Sequence, residues 1–400
     1  MKMNKSTLGL AAVGLVSLAP GLRAQNNAPA AIPLTTALSA TTISGYVDTS
    51  MVWNPGTGNA NPAPSSFNAG KQDGFNLDSV DLKIARALDA TDWSAGYTLE
   101  LQYGADAFTP DGPIRQAYIE LSAPVGNGLN FEVGQFDNIL GYESKDDYKN
   151  PNWSRSYGFT INPSSQVGVL ATYKFSDAFS AQAGVANELN PAPGNNARNT
   201  DGHGGSAIES KKALVSLISL TAPDSWGALA KSVLYAGLDY GPGNALNIAK
   251  THNVDKTDLY IGATINTPVK DLTLGVAWDT VNNSDLGAVE GYAGTLGLYA
   301  SYKLTDKASI NGRAEYAHGS AFDTLLGEAA VIKEQDAKVF ALTGTLQYDL
   351  WANVISRVEA RWDASADGSP HFGGIGTPGT GVAATKHNDL TLAANLIYRF

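Results

Sequence analysis

Charged residues alternate with apolar residues in a stretch near the C-terminal end of the chain. From Arg357 to Asp363 every second residue is charged, and the residues between them are Val358, Ala360 and Trp362. An extended strand points successive side chains to opposite faces, so this spacing gives one charged face and one apolar face. A row of charges on one face can act electrostatically on ions and polar solutes, as charged rings do in pores.

A second group of charges lies in the segment from Asp137 to Ser165, where they are interleaved with three tyrosines and Trp153. If this segment is a loop folded into a barrel, it narrows the lumen and sets an electric field across it. An outward-facing extracellular loop is the alternative that composition leaves open. The residues predicted for such a constriction loop are Glu143, Lys145, Asp146, Asp147 and Arg155.

Patterns for catalysis or metal binding are weak. The chain has no cysteine, and its five histidines lack the spacing of metal ligands. Residues 202–205 (GHGG) resemble an oxyanion-hole loop, but no Gly-x-Ser-x-Gly motif accompanies them. Asp146 and Asp147 could touch Ca²⁺, yet the glycine-containing spacing of a calcium loop is absent. We therefore predict no enzymatic activity, no cofactor and no metal.

The composition favours an all-β membrane protein. Charged residues make up 16% of the 400 residues, below the roughly 25% typical of soluble domains. Glycine is abundant, with 42 residues, and no later segment is apolar enough to span a membrane as a helix. Without residues 1–24 the chain has 24 basic against 38 acidic residues, a net charge of −14. An acidic chain without a basic run is a poor candidate for nucleic-acid binding.

The N-terminus has the order of regions that is typical of a secretory signal peptide. Lys2 and Lys5 precede an uncharged, mainly apolar segment from Thr7 to Ala19, and Pro20 then breaks any helix. About 13 apolar residues are too few to cross a hydrocarbon core of ~30 Å. We predict a signal peptide over residues 1–24, a leader over 25–41 and one barrel domain over 42–400.

Strand-like segments with a period of two fill the rest of the chain, and they are joined alternately by short turns and long loops. The sixteen predicted strands are Ile43–Trp53, Leu77–Leu88, Trp93–Gly104, Ile114–Ser122, Leu129–Phe136, Gln166–Phe175, Phe179–Glu188, Ala213–Leu220, Leu229–Tyr240, Leu259–Asn266, Leu272–Asp279, Leu296–Leu304, Ala308–Ala317, Val339–Tyr348, Asn353–Asp363 and Leu390–Phe400.

Seven short turns and eight long loops alternate strictly, which places each kind at one end of the molecule. This asymmetry is typical of transmembrane antiparallel up-and-down β-barrels, with short periplasmic turns and long outer loops. The last strand, Leu390–Phe400, is expected to pair antiparallel with Ile43–Trp53, because closure leaves no unpaired edge in lipid. A soluble all-β protein, such as a sandwich, a solenoid or a surface adhesin, is the alternative.

Charges decide which face of each strand points to the lumen, since Arg or Lys at mid-depth on the lipid face costs roughly 2–4 kcal/mol. The predicted pore-lining residues are Asp81, Lys83, Glu100, Glu120, Glu132, Lys174, Asp279, Arg313, Glu315, Arg357, Glu359 and Arg361. Aromatic residues near the strand ends are expected to form two girdles at the membrane interfaces. They are Trp53, Trp93, Trp226, Trp278, Trp351, Trp362, Tyr398 and Phe400.

Four patches resemble one family of barrels. Val133–Phe136, Leu140–Glu143, Trp153–Tyr157 and Leu350–Asp363 are similar to segments of the OmpL-like putative β-barrel porin family, the second such family. The resemblance implies a porin in the outer membrane of a Gram-negative-type bacterium. By analogy with 16-stranded porins, it also implies that the loop after the fifth strand folds inward and that a homotrimer forms. The terminal Phe400 implies recognition by the outer-membrane assembly machinery.

The sequence thus predicts a water-filled channel in outer-membrane lipid for passive diffusion of small hydrophilic solutes or ions. The acidic excess favours a mild preference for cations. Two other functions stay open at this point. One is a surface adhesin or structural barrel that binds partners through its long loops. The other is an outer-membrane enzyme, because a catalytic triad needs no local sequence motif.

Overall fold

The computed structural model describes residues 40–56, 59–63, 69–88, 92–107, 113–189, 212–243, 254–284, 291–320, 336–376 and 382–400. The predicted signal peptide, the leader up to residue 39 and the GHGG segment at 202–205 lie outside these ranges. Within the ranges, the structure contains no helix that is both long and apolar enough to cross a membrane.

Sixteen β-strands account for most of the regular structure in the described ranges. They are β1 Thr41–Trp53, β2 Gly74–Arg86, β3 Ser94–Tyr103, β4 Ile114–Ala123, β5 Leu129–Asp137, β6 Ser165–Ser176, β7 Phe179–Ala186, β8 Ala213–Thr221, β9 Val233–Gly243, β10 Val254–Asn266, β11 Leu272–Ser284, β12 Gly291–Lys303, β13 Ala308–Gly319, β14 Ala337–Trp351, β15 Val354–Ser365 and β16 Asn388–Arg399. One short α-helix, α1 (Tyr157–Ile161), and the 3-10 segments Ala69–Lys71, Asp147–Lys149 and Asp224–Leu229 complete the set.

The strands form one closed antiparallel barrel in which each strand pairs with its neighbours in sequence. The first and last strands close it: Tyr46 lies opposite Arg399, and Trp53 lies opposite Leu392. Beyond the ladder, the backbone N–H groups of Gly45 and Phe400 each donate to the other residue's carbonyl oxygen at 3.1 Å. The prediction of an all-β, 16-stranded, up-and-down barrel is therefore confirmed.

Strand ends differ from the prediction mainly in the second half of the chain. Strand β9 begins four residues after the predicted Leu229, because Asp224–Leu229 forms a 3-10 turn. Strands β10, β11 and β12 each extend five residues further at the end next to a long loop. Backbone pairing there continues into residues such as Asn282 and Asn283, whose polarity hides the alternation between apolar and polar faces.

Apolar residues cover the outside of the barrel. On β14, Phe340, Leu342 and Leu346 are exposed, whereas the alternate residues Thr343 and Thr345 are buried. The eight predicted girdle residues are all on the outer surface, with 39–67% of each residue exposed. Their placement on this surface is consistent with contact to lipid headgroups, which remains a prediction.

Candidate functional site

The segment between β5 and β6 crosses the interior of the barrel; we call residues 138–164 the inward loop. Helix α1 in this loop begins at Tyr157, whose hydroxyl donates to Asp363 Oδ1 at 2.8 Å. The Tyr157 backbone N–H donates to Glu315 Oε1 at 2.6 Å. Because β13 lies eight strands from β5 in a ring of sixteen, the loop reaches the opposite wall.

Two arginines on the opposite wall hold the loop. The Arg313 guanidinium on β13 forms an ion pair with Glu143 at 2.8 Å and also donates to the Ser154 carbonyl oxygen at 2.8 Å. Arg361 on β15 donates to the Arg155 carbonyl oxygen at 2.6 Å. Charge-assisted hydrogen bonds of this kind are among the stronger polar contacts in proteins. They fix the middle of the loop against the wall.

Wall carboxylates accept hydrogen bonds from backbone and side-chain N–H groups of the loop. Glu359 accepts from the Trp153 N–H at 2.7 Å and from the Ser154 N–H at 2.9 Å. Asp279 accepts from the Asn162 side-chain amide at 2.7 Å, just after α1. A buried backbone N–H without a partner is costly, so these carboxylates take the place of secondary structure for the loop.

Arg115 on β4 holds the inward loop at a second point. Its guanidinium lies 2.6 Å from Asp146 of the inward loop, and 2.7 Å from both Asp137 and Glu100 of the wall. Burial raises the pKa of Asp146, but the positive charges of Arg115 and Lys149 outweigh it and hold that pKa below its ordinary value. Asp146 therefore stays ionised and keeps the loop attached to β4.

Between these two anchor points, the loop carries a buried pair formed by Asp147 and Arg155. Arg357 on β15 donates to the Asp147 carbonyl oxygen at 3.1 Å. Burial raises the pKa of the Asp147 carboxyl, and Arg155 opposes that effect. Burial lowers the pKa of Lys145, which pairs with Asp137 at 3.0 Å. All five predicted constriction residues thus lie inside the barrel.

The predicted lining residues lie on the lumen side of the wall, but the inward loop covers most of them. Three of them, Lys83, Glu120 and Glu132, are partly exposed. Lys174 lies at a short turn and pairs with Asp177 at 2.6 Å. The other eight are at most 3% exposed: Asp81, Glu100, Asp279, Arg313, Glu315, Arg357, Glu359 and Arg361. Six of these eight contact the inward loop, whereas Asp81 and Glu100 border a cavity beside it. A role in permeation stays a prediction for all twelve.

Two residues that contact the inward loop, and that the sequence did not reveal, lie at β-bulges. Glu100 pairs with Gln116 and the next residue, Leu101, with Ile114, so Arg115 is the extra residue of its strand. Asp78 is likewise skipped in the β1–β2 register, and it accepts from Trp153 Nε1 at 3.1 Å. A bulge re-aims a side chain that strict alternation assigns to the other face.

Water-accessible cavities remain beside the inward loop at the short-turn end of the barrel. One of about 550 Å³ is lined by Asp81, Lys83 and Arg399, among others. A second of about 500 Å³ and a third of about 320 Å³ lie along β8–β14. Tyr148 and Lys149 of the loop border both the first and the second cavity, so the loop divides the lumen into two sides.

Comparison with known proteins gives one family and a consistent set of folds. The family described as "Putative beta-barrel porin-2, OmpL-like" matches residues 40–400. The structure is similar to OmpT of Vibrio cholerae in its trimer form, with a TM-score of 0.57, 14% identity and coverage of 90% of this chain and 99% of that chain. It is also similar to an anion-selective porin from Comamonas acidovorans, with a TM-score of 0.57, 13% identity and coverage of 90% of this chain and 99% of that chain.

OmpF of Salmonella typhi in complex with daunomycin is also similar, with a TM-score of 0.55, 12% identity and coverage of 90% of this chain and 97% of that chain. At such low identity these structures show a shared fold. No curated protein sequence matches the chain.

Proposed function

Because the chain belongs to the OmpL-like family of β-barrel porins, we propose that it is a weakly selective outer-membrane channel for passive diffusion of small hydrophilic solutes. The expected family is confirmed, and so is the outer-membrane porin that the sequence predicted. We propose that the activity is transport alone, without a catalysed reaction. The route that we propose runs beside the inward loop, through the cavities on its two sides.

The observation that carries this route is the position of the inward loop. Its ion pairs with Arg313 and Arg115 fix it to two distant parts of the wall, β13 and β4. The loop thereby narrows the lumen without filling it, since cavities of about 550 and 500 Å³ remain on its two sides. A narrowed lumen of polar lining passes small hydrated solutes and excludes large ones.

We propose a mild preference for cations. The whole chain has a net charge of −11, and Glu120 and Glu132 remain partly exposed on the lumen side. The partly exposed Lys83 on the lumen side pairs with an acidic residue, since its ammonium lies 3.4 Å from the buried Glu100. A reversal potential measured in a salt gradient would show the sign directly, and an anion-selective potential would contradict this preference.

We further propose that the chain is exported by its N-terminal signal peptide, inserted by the outer-membrane assembly machinery through β16, and assembled as a homotrimer. The family and the fold support the outer-membrane location. The OmpT structure described as a trimer supports the oligomer. Chemical cross-linking of the refolded protein in detergent would give a three-subunit band, and a product no larger than the monomer would contradict the trimer.

Reconstitution in planar lipid bilayers tests the channel itself. We expect stepwise increases in conductance as single channels insert. Protein that is folded by the criterion of heat-modifiable gel mobility, yet leaves the bilayer silent, would contradict the proposed activity.

A further inference from the structure

The two sides of the lumen differ in charge. On one side, which we call the charged side, the cavity of about 550 Å³ is bordered by four ionisable side chains, those of Asp81, Glu100, Lys83 and Arg399. We call the other side, formed by the cavities of about 500 and 320 Å³ along β8–β14, the neutral side. An ion that leaves water is stabilised only where charges or oriented dipoles replace its hydration, which favours the charged side for ions.

Hydroxyl and amide groups line the wall of the neutral side. They belong to Thr264, Thr273, Ser301, Ser309, Asn311 and Gln347, on strands β10–β14. Among the described residues of this lining, the ionised groups are Glu143 and Lys149. Glu143 is neutralised by Arg313 at 2.8 Å, and Lys149 pairs with Asp146 at 2.6 Å. The surface left for a solute is therefore polar without a net charge.

Tyrosine rings lie along the wall of the neutral side because glycines leave room for them. A Cβ atom added to Gly262 would lie 2.0 Å from the Tyr260 hydroxyl, and one added to Gly275 would lie 2.0 Å from the Tyr142 hydroxyl. Tyr142 stacks on Tyr299, with ring centroids 4.3 Å apart and planes 28° apart. These rings lie over the glycines and form an apolar surface on the wall.

The half-buried rings of Tyr142 and Tyr235 border the third cavity. Ile139 and Leu217 add apolar surface beside them. The hydroxyl and amide groups of one wall can hydrogen-bond to hydroxyl groups at the edge of a solute. The aromatic rings of the adjacent wall can stack on an apolar ring face of the same solute. Cavities of a few hundred Å³ are the size that encloses small organic molecules.

We propose that the neutral side binds and conducts uncharged, ring-shaped polyhydroxylated solutes, that is, monosaccharides and short oligosaccharides. The inference rests on the proposed channel function and names one solute class for it. Serine, threonine, asparagine and glutamine side chains exchange hydrogen bonds with the hydroxyl groups of the sugar. The ring face of the sugar stacks on Tyr142 and Tyr235. Ions take the charged side instead.

The test compares two uncharged solutes of nearly equal size in proteoliposomes that contain the refolded full chain. Glucose has a ring face, whereas the linear polyol sorbitol has the same kinds of hydroxyl group without a ring. We expect the initial uptake rate of radiolabelled glucose at low concentration to exceed that of sorbitol about fivefold, from the stacking contribution. Single-channel ion conductance is measured on the same preparation.

Strand β9 provides a matched pair of variants. Tyr235 faces the neutral side, and Tyr240 on the same strand is exposed on the outside of the barrel. Tyr235→Ala is expected to lower the ratio of glucose uptake to sorbitol uptake about fivefold, to about one, because sorbitol has no ring face to stack. Tyr240→Ala should change neither this ratio nor the ion conductance.

Equal uptake of glucose and sorbitol by the wild-type protein, with normal ion conductance, would overturn the assignment of ring-shaped sugars and leave the channel intact. The same holds if Tyr235→Ala slows both solutes equally, because that result would indicate a general change in the lumen. Absence of both uptake and conductance would overturn the proposed channel as well. The wild-type comparison decides the question even if Tyr235→Ala does not fold.

Discussion

Arg313 on β13 and Glu143 in the inward loop form an ion pair with 2.8 Å between Nη1 and Oε1, and neither side chain is more than 1% exposed. The loop starts from β5, and β13 lies eight strands away in the ring, so the pair spans the lumen. The same guanidinium donates to Glu315 at 2.7 Å. One arginine thus couples the loop to the far wall.

Replacing Arg313 should loosen the loop and widen the channel. Arg313→Leu leaves the buried Glu143 and Glu315 without their main cationic partner, which costs about 3–5 kcal/mol for a broken buried pair. We expect a lower urea midpoint in detergent micelles and a larger, noisier single-channel conductance. Lys174→Ala is the control, because Lys174 pairs with Asp177 at an exposed turn. Unchanged conductance in Arg313→Leu would contradict the anchoring role.

Acidification should release the second anchor of the loop, at Arg115. The pKa of Asp146 is lowered by Arg115 and Lys149, so its contacts stabilise the attached loop above the ordinary Asp pKa of about 3.9. This stabilisation is lost as the pH falls through the lower pKa of the folded state. Single-channel recordings from pH 7 down to pH 3 should therefore show steady conductance at first, then a rise below about pH 4.

Asp146→Asn is the matched variant for the acid response. It removes the ionised carboxyl at every pH, so its conductance at pH 7 should equal the value that the wild-type protein reaches at low pH. An acid-induced rise of the same size in Asp146→Asn would assign the response to another group.

Alternation of side chains along the strands predicted the barrel well, because a charge on the lipid face is costly and the pattern follows from the backbone alone. The β1–β16 pairing was predictable because closure of the barrel leaves no unpaired strand edge in lipid. Ile397 departs from the pattern: it faces inward and is fully buried against Tyr46 and Ile355, with Tyr148 of the inward loop packed on this cluster. Such a local apolar cluster depends on the path of the loop, which lies far away in sequence.

The site was less predictable than the fold. The partners of the inward loop are distant in the chain, as in the bond between Tyr157 and Asp363, and composition alone left its direction open. Arg115 and Asp78 lie at bulges, where one extra residue reverses the face that alternation assigns. Bulges leave no clear mark in a single sequence, so these two residues emerged only from the structure.

Arg115 should control charge selectivity, since its one guanidinium faces Glu100, Asp137 and Asp146 within 2.7 Å. Arg115→Gln leaves these carboxylates close together without their shared cation. We expect the reversal potential in a KCl gradient to shift toward stronger cation preference. Lys83→Gln is the control, because Lys83 is 39% exposed and lies 3.4 Å from Glu100, so its effect should be smaller. An equal shift in both variants would contradict the special role of Arg115.

Removal of the last three residues should abolish stable assembly. In the β1–β16 pairing, Val47 lies opposite Tyr398 and Tyr46 opposite Arg399, and Phe400 exchanges two 3.1 Å hydrogen bonds with Gly45. Truncation before Tyr398 leaves the first residues of β1 with unpaired backbone groups, each of which costs several kcal/mol where no water reaches it.

The truncated chain should therefore fail to give the heat-modifiable band of a folded barrel after refolding in detergent. Phe400→Tyr is the control: it keeps the backbone pairing and an aromatic terminus, so it should fold like the wild-type protein. Normal folding and membrane insertion of the truncated chain would mean that the ladder from Asp48–Ile397 to Trp53–Leu392 closes the barrel by itself. In that case we would assign Phe400 to recognition by the assembly machinery rather than to closure. A truncated chain that folds in detergent but fails to insert in cells would separate these two roles.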